Sequence, residues 1–373
     1  MKLAFWGSVG IIAYAYAGYP VWLWLRTRWR PVPLKRSALT PPISVLVVVR
    51  NEAAVLRRKL TNLLELDYPS DRLEILVVSD GSTDETNQIL QECSARTQIH
   101  VMLNPNSKGK AAGLNDALQI ARGEIVVFTD VRQILEREAL SLLMENFADP
   151  LVGCASGELM LGEPHSGESG KGVGLYWRIE KQVREMESVS GSVVGATGAL
   201  YAARRELVPA LPSETILDDV YIPMSIVRQG LRVIFDSRAR AWDVADQGRK
   251  HEFARKVRTL SGNYQLLHLM PWILSGANPI RFEFISHKLA RLVVPFAMAA
   301  ALVSSIFLSD PAYRVALLLQ VGFYTIGILG LIQFRLGPLA RIGDIVVTVL
   351  VLNTAAVVAF ANFITRRRAV WAR

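Results

Sequence analysis

Two kinds of hydrophobic pattern divide the chain. Between Ile43 and Gly262 apolar residues fall in short runs separated by charged, turn-rich stretches, while outside that interval they form long blocks. Ile43-Ser-Val-Leu-Val-Val-Val49 is β-branched and nearly all apolar, as suits a strand covered on both faces. A helical period follows over Glu52–Glu65. Leu73–Ser79 predicts a second strand, ending in Asp80-Gly-Ser-Thr-Asp84 before another helix. Ile99–Leu103 predicts a third strand, Ala111–Ala121 a helix, and Glu124–Thr129 a fourth strand ending at Asp130. Such alternation predicts an α/β domain with a mainly parallel sheet and helices on both faces. Ligands bind beyond the carboxyl ends of such strands. Asp80 and Asp130 both stand there, on different strands, and so converge on one site.

The long blocks read as membrane segments. Leu3–Leu25 is 23 residues without a charge, enough to span about 30 Å of hydrocarbon. Ala13-Tyr-Ala-Tyr-Ala17 offers a signal-peptidase-like site, but only Lys2 precedes the block, whereas Arg26, Arg28, Arg30, Lys35 and Arg36 follow it. A basic flank after the segment favours an uncleaved anchor with that flank in the cytoplasm. Three further blocks, Leu292–Leu308, Val315–Phe334 and Ile345–Ile364, carry only uncharged polar residues (Gln320, Gln333, Asn353 and Asn362), which would face other helices. Tyr264–Ile273, with Pro271 and Trp272, is too short and polar to span and reads as interfacial. The expected division is an anchor at 1–27, a proline-rich linker at 28–42 and a cytosolic domain at 43–262. An interfacial segment at 263–285, three transmembrane helices at 286–366 and a tail at 367–373 complete it. Counting spans puts the C-terminus outside. That leaves Arg366–Arg368 and Arg373 against the positive-inside tendency, while Arg335 and Arg341 obey it. The alternative is that the run beginning at Leu292 only re-enters the membrane.

Composition agrees. Hydrophobic residues make up 51 % of the 373 and charged residues 20 %, which excludes a disordered chain. The net charge of +9 lies largely around the membrane flanks, so nucleic acid is not an expected partner. Two cysteines, Cys93 and Cys154, are too few for a disulfide scaffold and fit a reducing compartment. The five histidines show no zinc-binding spacing. The first strand leads into Arg50-Asn-Glu52 with no glycine-rich dinucleotide motif, and Gly167-Glu-Ser-Gly-Lys-Gly172 reads as a flexible loop rather than a phosphate loop.

Val45–Glu52, Val77-Val-Ser-Asp-Gly-Ser-Thr-Asp84, Lys108-Gly-Lys-Ala-Ala-Gly-Leu-Asn115, Phe128-Thr-Asp130 and Leu217-Asp-Asp219 resemble, in order, the motifs of family-2 glycosyltransferases. The pattern covers nearly all of Ile43–Gly262. With the apolar flanks it is similar to the membrane-bound processive branch, the cellulose, chitin-oligosaccharide, poly-N-acetylglucosamine and hyaluronan synthases. The resemblance implies a GT-A type mixed-sheet domain and a divalent cation, Mg²⁺ or Mn²⁺, at the donor diphosphate. It implies a membrane-bound inverting transferase that uses a nucleotide-diphospho-sugar, UDP-linked by expectation, to extend a cell-surface polysaccharide. Transfer of one sugar to a polyprenyl phosphate and a non-catalytic membrane partner stay open beside it. The expected location is the inner or plasma membrane, multi-pass, with the domain cytoplasmic. The expected partners are the donor, a glycan or lipid-linked acceptor, and the bilayer.

By that resemblance Asp80 binds the nucleoside, and Lys108 and Lys110 bind the diphosphate at a helix start, where N–H groups and the helix dipole also favour phosphate. Asp130 is the first position of the D-x-D metal motif, which here reads Asp130-Val131-Arg132. One carboxylate with phosphate oxygens can still hold the cation, or Arg132 can offset the diphosphate itself. Asp219 maps onto the catalytic base and Asp218 onto the neighbouring glutamate position; adjacent carboxylates in a cleft raise one another's pKa towards a usable base. Taken singly, the aspartates read equally well as helix N-caps and the lysines as solvated turns. In Arg255-Lys-Val-Arg-Thr259 the family's Q-x-x-R-W motif keeps Arg258, a diphosphate ligand, and has Thr259 in place of the tryptophan that stacks on the acceptor. Trp177 could supply that face instead, although core packing is its expected role.

Overall fold

The computed structural model describes residues 1–94, 96–162, 175–243, 248–332 and 340–365. The Gly167–Gly172 loop and the basic residues Arg335, Arg366–Arg368 and Arg373 lie outside them. At the start, α1 (Lys2–Ala13) and α2 (Tyr19–Trp29) are joined by a π-helical turn over Tyr14–Gly18. The alternating region then follows: β1 (Ile43–Val49), α3 (Ala53–Leu64), β2 (Leu73–Asp80), α4 (Thr86–Cys93), β3 (Ile99–Asn104), α5 (Lys110–Ile120) and β4 (Ile125–Phe128). These match the pattern-based expectations to within a residue or two.

Strands β1, β2, β3 and β4 are mutually parallel, with β1 between β2 and β4. Beyond them come β5 (Ile134–Leu135), α6 (Ala139–Met144), β6 (Val152–Leu161), α7 (Leu175–Ser190), β7 (Tyr201–Arg204), α8 (Asp218–Arg228) and β8 (Arg232–Asp243). The eight-stranded sheet has the order β3-β2-β1-β4-β7-β6-β8-β5. It becomes mixed at β7, which runs antiparallel to both β4 and β6. Both faces are covered. Val45, Val47 and Val49 join a core with Leu56, Leu60 and Leu63 of α3, while Leu46 and Val48 join one with Leu114 of α5 and Ile222 of α8. The period-2 alternation of β1 therefore serves two cores at once.

Next come α9 (Gly248–Leu269), α10 (Arg281–Phe284), α11 (Ala290–Phe307), α12 (Pro311–Leu331) and α13 (Ala340–Ile364). Leu266, Met270, Ile273, Ile280 and Phe284 lie in the same core as α5 and α8. The segment expected to be interfacial, Tyr264–Ile273, is therefore the end of α9 and its continuation packed into the domain, because its apolar side chains find the sheet-covering layer first. Domain packing extends past 262 to about Phe284.

Three helical stretches, Arg281–Phe307, Pro311–Leu331 and Ile342–Ile364, are long and apolar enough to cross a membrane, in line with the three C-terminal blocks. The Lys2–Trp29 helix is not among the three; its tyrosines and tryptophans dilute its hydropathy. Its first half lies against the bundle, with Phe5 edge-on to Tyr313 and Lys2 ion-paired to Asp310 at 3.0 Å. Its second half docks on the domain, where Tyr19 and Leu23 pack on Val183 of α7. At the other end of the chain, Phe360 and Phe363 of α13 stand 5.7 and 5.5 Å from the ring of Tyr264 on α9. The end of α13 thus packs against α9 of the domain.

Candidate active site

The turn after β2 is built by close backbone approach. Gly81 has φ +67, and a Cβ there would stand 2.5 Å from the Ser107 nitrogen. Asp80, fully buried, accepts hydrogen bonds from the Ser107 hydroxyl (2.7 Å) and from the N–H groups of Lys108 (2.7 Å) and Gly109 (3.0 Å). Its carboxylate therefore fixes the loop that leads into α5. The side chain of Lys108 is exposed at the mouth of that loop.

At the foot of α5, Lys110 Nζ lies 2.9 Å from Asp130 Oδ1 and 3.0 Å from Asp218 Oδ1. Asp218 also accepts from the Tyr201 hydroxyl at 3.0 Å, and Tyr201 stacks on Phe128 with centroids 4.4 Å apart. Asp219 Oδ2 accepts from the Gly198 N–H at 3.1 Å. Gly198 is where the groups meet: a Cβ there would stand 3.5 Å from Asp130 Oδ2, 3.6 Å from Asp219 Oδ2 and 4.0 Å from Lys110 Nζ. Helix α5, the end of β4 and helix α8 thus bring Lys110, Asp130, Asp218 and Asp219 together. Neither aspartate of the pair caps α8; Leu217 is its N-cap residue and they occupy the first turn.

Electrostatics separates the two outer carboxylates. Burial, then the charge of Asp218, push Asp219 up to about 6, against the opposing pull of Lys110. Burial acts the same way on Asp130, but Lys110 and then Arg258 and Lys59 outweigh it and hold Asp130 below the usual carboxylate range. For Lys110, burial works against the charge and Asp130 and Asp218 more than restore it, so the ammonium stays protonated. One carboxylate near neutrality beside one firmly ionised is an arrangement suited to separate proton-accepting and charge-holding tasks.

Arg258 of α9 is near enough to Asp130 to bias it, so that retained arginine joins the site. Burial raises the Glu52 carboxyl, and the nearby charge of Arg132 opposes that shift. Glu52 sits at the end of β1 and also senses Asp130 and Asp84. Thr259 is exposed. Trp177 is 39 % exposed on α7, which corrects its expected core role: α7 points that face away from the sheet.

Among the described residues no group of three or more His, Cys, Asp or Glu side chains gathers to hold a metal. Asp130 keeps one oxygen on Lys110 and turns the other to the Gly198 hollow. That donor set fits a divalent cation shared between Asp130 and diphosphate oxygens, not one caged by protein alone.

Sequence reasoning missed Lys59, Tyr201 and Gly198. Lys59 is fully buried and donates to the Thr129 hydroxyl and the Gln133 carbonyl, each at 2.8 Å. The Thr129 hydroxyl donates in turn to the Ala199 carbonyl at 2.7 Å. One ammonium thereby ties the Asp130 loop to the strand entry beside Gly198. The available signal was helical spacing: Lys59 stands on the stripe of Leu56, Leu60 and Leu63. Gly198 and Tyr201 carried no comparable signal.

Residues 44–211 match the family model described as Glycosyl transferase family 2. They are a family-2 glycosyltransferase domain. The glycosyltransferase domain has the GT-A type mixed sheet. The chain is 25 % identical over 236 residues to the probable glycosyltransferase YdaM of Bacillus subtilis (strain 168), a match covering 60 % of this chain and 55 % of that protein. It is 22 % identical over 234 residues to the poly-beta-1,6-N-acetyl-D-glucosamine synthase of Staphylococcus aureus (strain COL), with the same coverage of 60 % and 55 %. The chain spans about half the length of the curated relatives it matches. The mannosyltransferase PcManGT from Pyrobaculum calidifontis, in complex with GDP-Man and Mn²⁺, superposes with a TM-score of 0.73 at 25 % identity. That match covers 96 % of this chain and 98 % of that one.

Burial lowers the Lys59 pKa to about 7, with Asp130 opposing the shift, whereas an unfolded lysine titrates near ~10.4. Between those values the unfolded chain holds a proton that the folded chain has released, so the Lys59 contribution to stability rises with pH across that window and is flat below it. Wild type is expected to gain apparent Tm relative to Lys59→Met as pH is raised from about 7 to about 10. A Tm difference that stays constant over that range would show that Lys59 is not neutralised.

Proposed function

We propose that the chain is a membrane-bound, inverting glycosyltransferase that moves a sugar from a nucleotide-diphospho-sugar to a membrane-associated acceptor. The convergence of Lys110, Asp130 and Asp219 on the hollow at Gly198 carries this reading. In it, Asp219 takes the proton of the acceptor hydroxyl as that oxygen attacks the anomeric carbon, and the nucleoside diphosphate departs from the opposite face. Lys110 offsets the diphosphate from between Asp130 and Asp218, with Lys108, Arg132 and Arg258 as further cations. Asp80 shapes the nucleoside end through the 107–109 loop. Asp130 would hold a divalent cation, Mg²⁺ or Mn²⁺, which neutralises the leaving diphosphate when bound. A membrane partner without activity has no use for a carboxylate held near neutrality beside an ionised one.

For the acceptor, resemblance to polysaccharide synthases supports extension of a cell-surface glycan. A second reading, transfer of one sugar to a polyprenyl phosphate, is supported by exposed Thr259, which offers a glycan no stacking face. Membranes supplied with labelled UDP-sugars and GDP-sugars separate the two: polymer remains in the aqueous residue, whereas a glycolipid extracts into organic solvent. Transfer is expected to depend on added Mg²⁺ or Mn²⁺. Equal transfer in chelator would remove the cation from the scheme, and no transfer from any donor would remove the activity.

Asp219→Asn is expected to lower kcat by at least about a hundredfold while leaving donor affinity by calorimetry nearly unchanged. Transfer within about tenfold of wild type, roughly 1.4 kcal/mol of barrier, would sink the base assignment. Because the base acts ionised, kcat/KM should rise with pH through about 6. Asp218→Asn removes the like charge and should move that limb to lower pH.

We further propose that the domain faces the cytoplasm and that the Lys2–Trp29 helix is a fourth membrane element. Cysteine placed at Ser309, beyond the 27-residue stretch Arg281–Phe307, should react with an impermeant reagent in intact cells. Cysteine at Thr365, one residue past α13, should be protected. Labelling of the latter would restore the simple span count.

A further inference from the structure

Where α2 meets the domain, its last turns, the following linker and the end of α7 enclose a cavity of about 460 Å³ lined by Trp22, Arg26, Trp29, Arg30, Val32 and Ser190. This is far more than the roughly 30 Å³ of one water and falls in the range of ligand sites. No acidic side chain lines it. The Ser190 hydroxyl is committed to the Met186 carbonyl at 2.8 Å, so the other side chains of the lining that carry polar atoms are two arginines and two tryptophans, which have donors and no acceptors. The walls are fixed. The Val32 N–H donates to the Val189 carbonyl at 2.8 Å, Arg232 donates to the carbonyls of Pro33 and Ser188 at 3.0 Å each, and Trp22 packs on Phe282 with centroids 4.5 Å apart. Arg26 is already paired with Glu283. Arg30 is exposed and has no ion-pair partner among the described residues.

A preformed, donor-only hollow with one uncompensated guanidinium calls for an anion with several acceptor oxygens. Its place, at the end of a helix lying along the apolar bundle and rimmed by tryptophan, is that of the bilayer–water boundary, where tryptophan and arginine meet headgroups. We propose that this cavity binds the phosphate of an anionic membrane phospholipid, with Arg30 as its counter-ion and Trp22 and Trp29 against the glycerol region. The site is separate from the sugar-transfer chemistry. Its occupant would brace α2 against α7, the helix whose Lys181 and Arg184 reach into the sheet at Glu158 and Ser156.

The rival explanation is diffuse attraction of juxtamembrane charge, and Arg28 provides the control. It lies between the two cavity arginines in sequence but covers the Trp24 ring at 3.6 Å, outside the cavity lining. The full chain is placed in phosphatidylcholine nanodiscs with and without phosphatidylglycerol, and retained lipid is counted by native mass spectrometry. Wild type should retain phosphatidylglycerol in preference to phosphatidylcholine. Arg30→Glu should weaken that retention by about fivefold or more, the worth of at least one near-surface charge, while Arg28→Glu leaves it unchanged. Trp29→Ala should also weaken it and serves if the charge reversal disturbs folding. Equal loss in Arg28→Glu, or no preference between the lipids in wild type, would overturn the proposal. Displacement of the lipid by free glycerol phosphate at equal concentration would overturn the lipid assignment in favour of a soluble anion.

Discussion

Three carboxylates cannot be gathered in one cleft unless a cation stands among them, and the Lys110 ammonium is that cation. It touches Asp130 and Asp218 and lies within reach of the Asp219 side. The aspartates arrive from two directions: one from the end of β4, two from the first turn of α8. Without the lysine, like-charge repulsion in a partly dry cleft would drive α8 away from the sheet. With it, the two outer carboxylates are shifted in opposite directions, Asp219 up and Asp130 down, because Asp130 shares the ammonium directly and Asp219 does not.

The frame that presents these groups is a sheet whose order reverses direction of growth at β1. Loops after β1, β2 and β4 therefore open into one crevice, and Glu52, Asp80 and Asp130 stand at its rim. Each loop is held by a buried polar anchor beneath it. Asp80 anchors the 107–109 turn, and Lys59 anchors the loop that follows β4. Burying such groups is costly unless every partner is present, so the loops are specified as firmly as the strands.

How legible this was from the residues depended on the range of the contacts. Strands β1 to β4 and helices α3 and α5 were readable because each has its own period and its own punctuation. The mixed half of the sheet was not, since the antiparallel placement of β7 is decided by partners far away in the chain. Asp80, Lys108, Lys110, Asp130, Asp218, Asp219 and Arg258 were found through ordered motifs, and the structure brings six of them to one crevice while Lys108 stands at its mouth. The charge of Arg132 bears on Glu52, a proximity that no local spacing encodes. That Leu266, Met270 and Ile273 of the Tyr264–Ile273 segment join the domain core was not readable, because composition alone cannot tell a lipid-facing surface from one pressed against a protein core.

The rings of Tyr264, Phe360 and Phe363 have a mechanical meaning. Tyr264 and Arg258 ride on the same helix, six residues apart, which is about 9 Å along its axis. An α-helix is stiff over that distance. A shift in the tilt of α13 would therefore reach, with no flexible joint between, the guanidinium whose charge bears on Asp130. The charge balance at Asp130 is thus mechanically tied to the packing of the C-terminal helices.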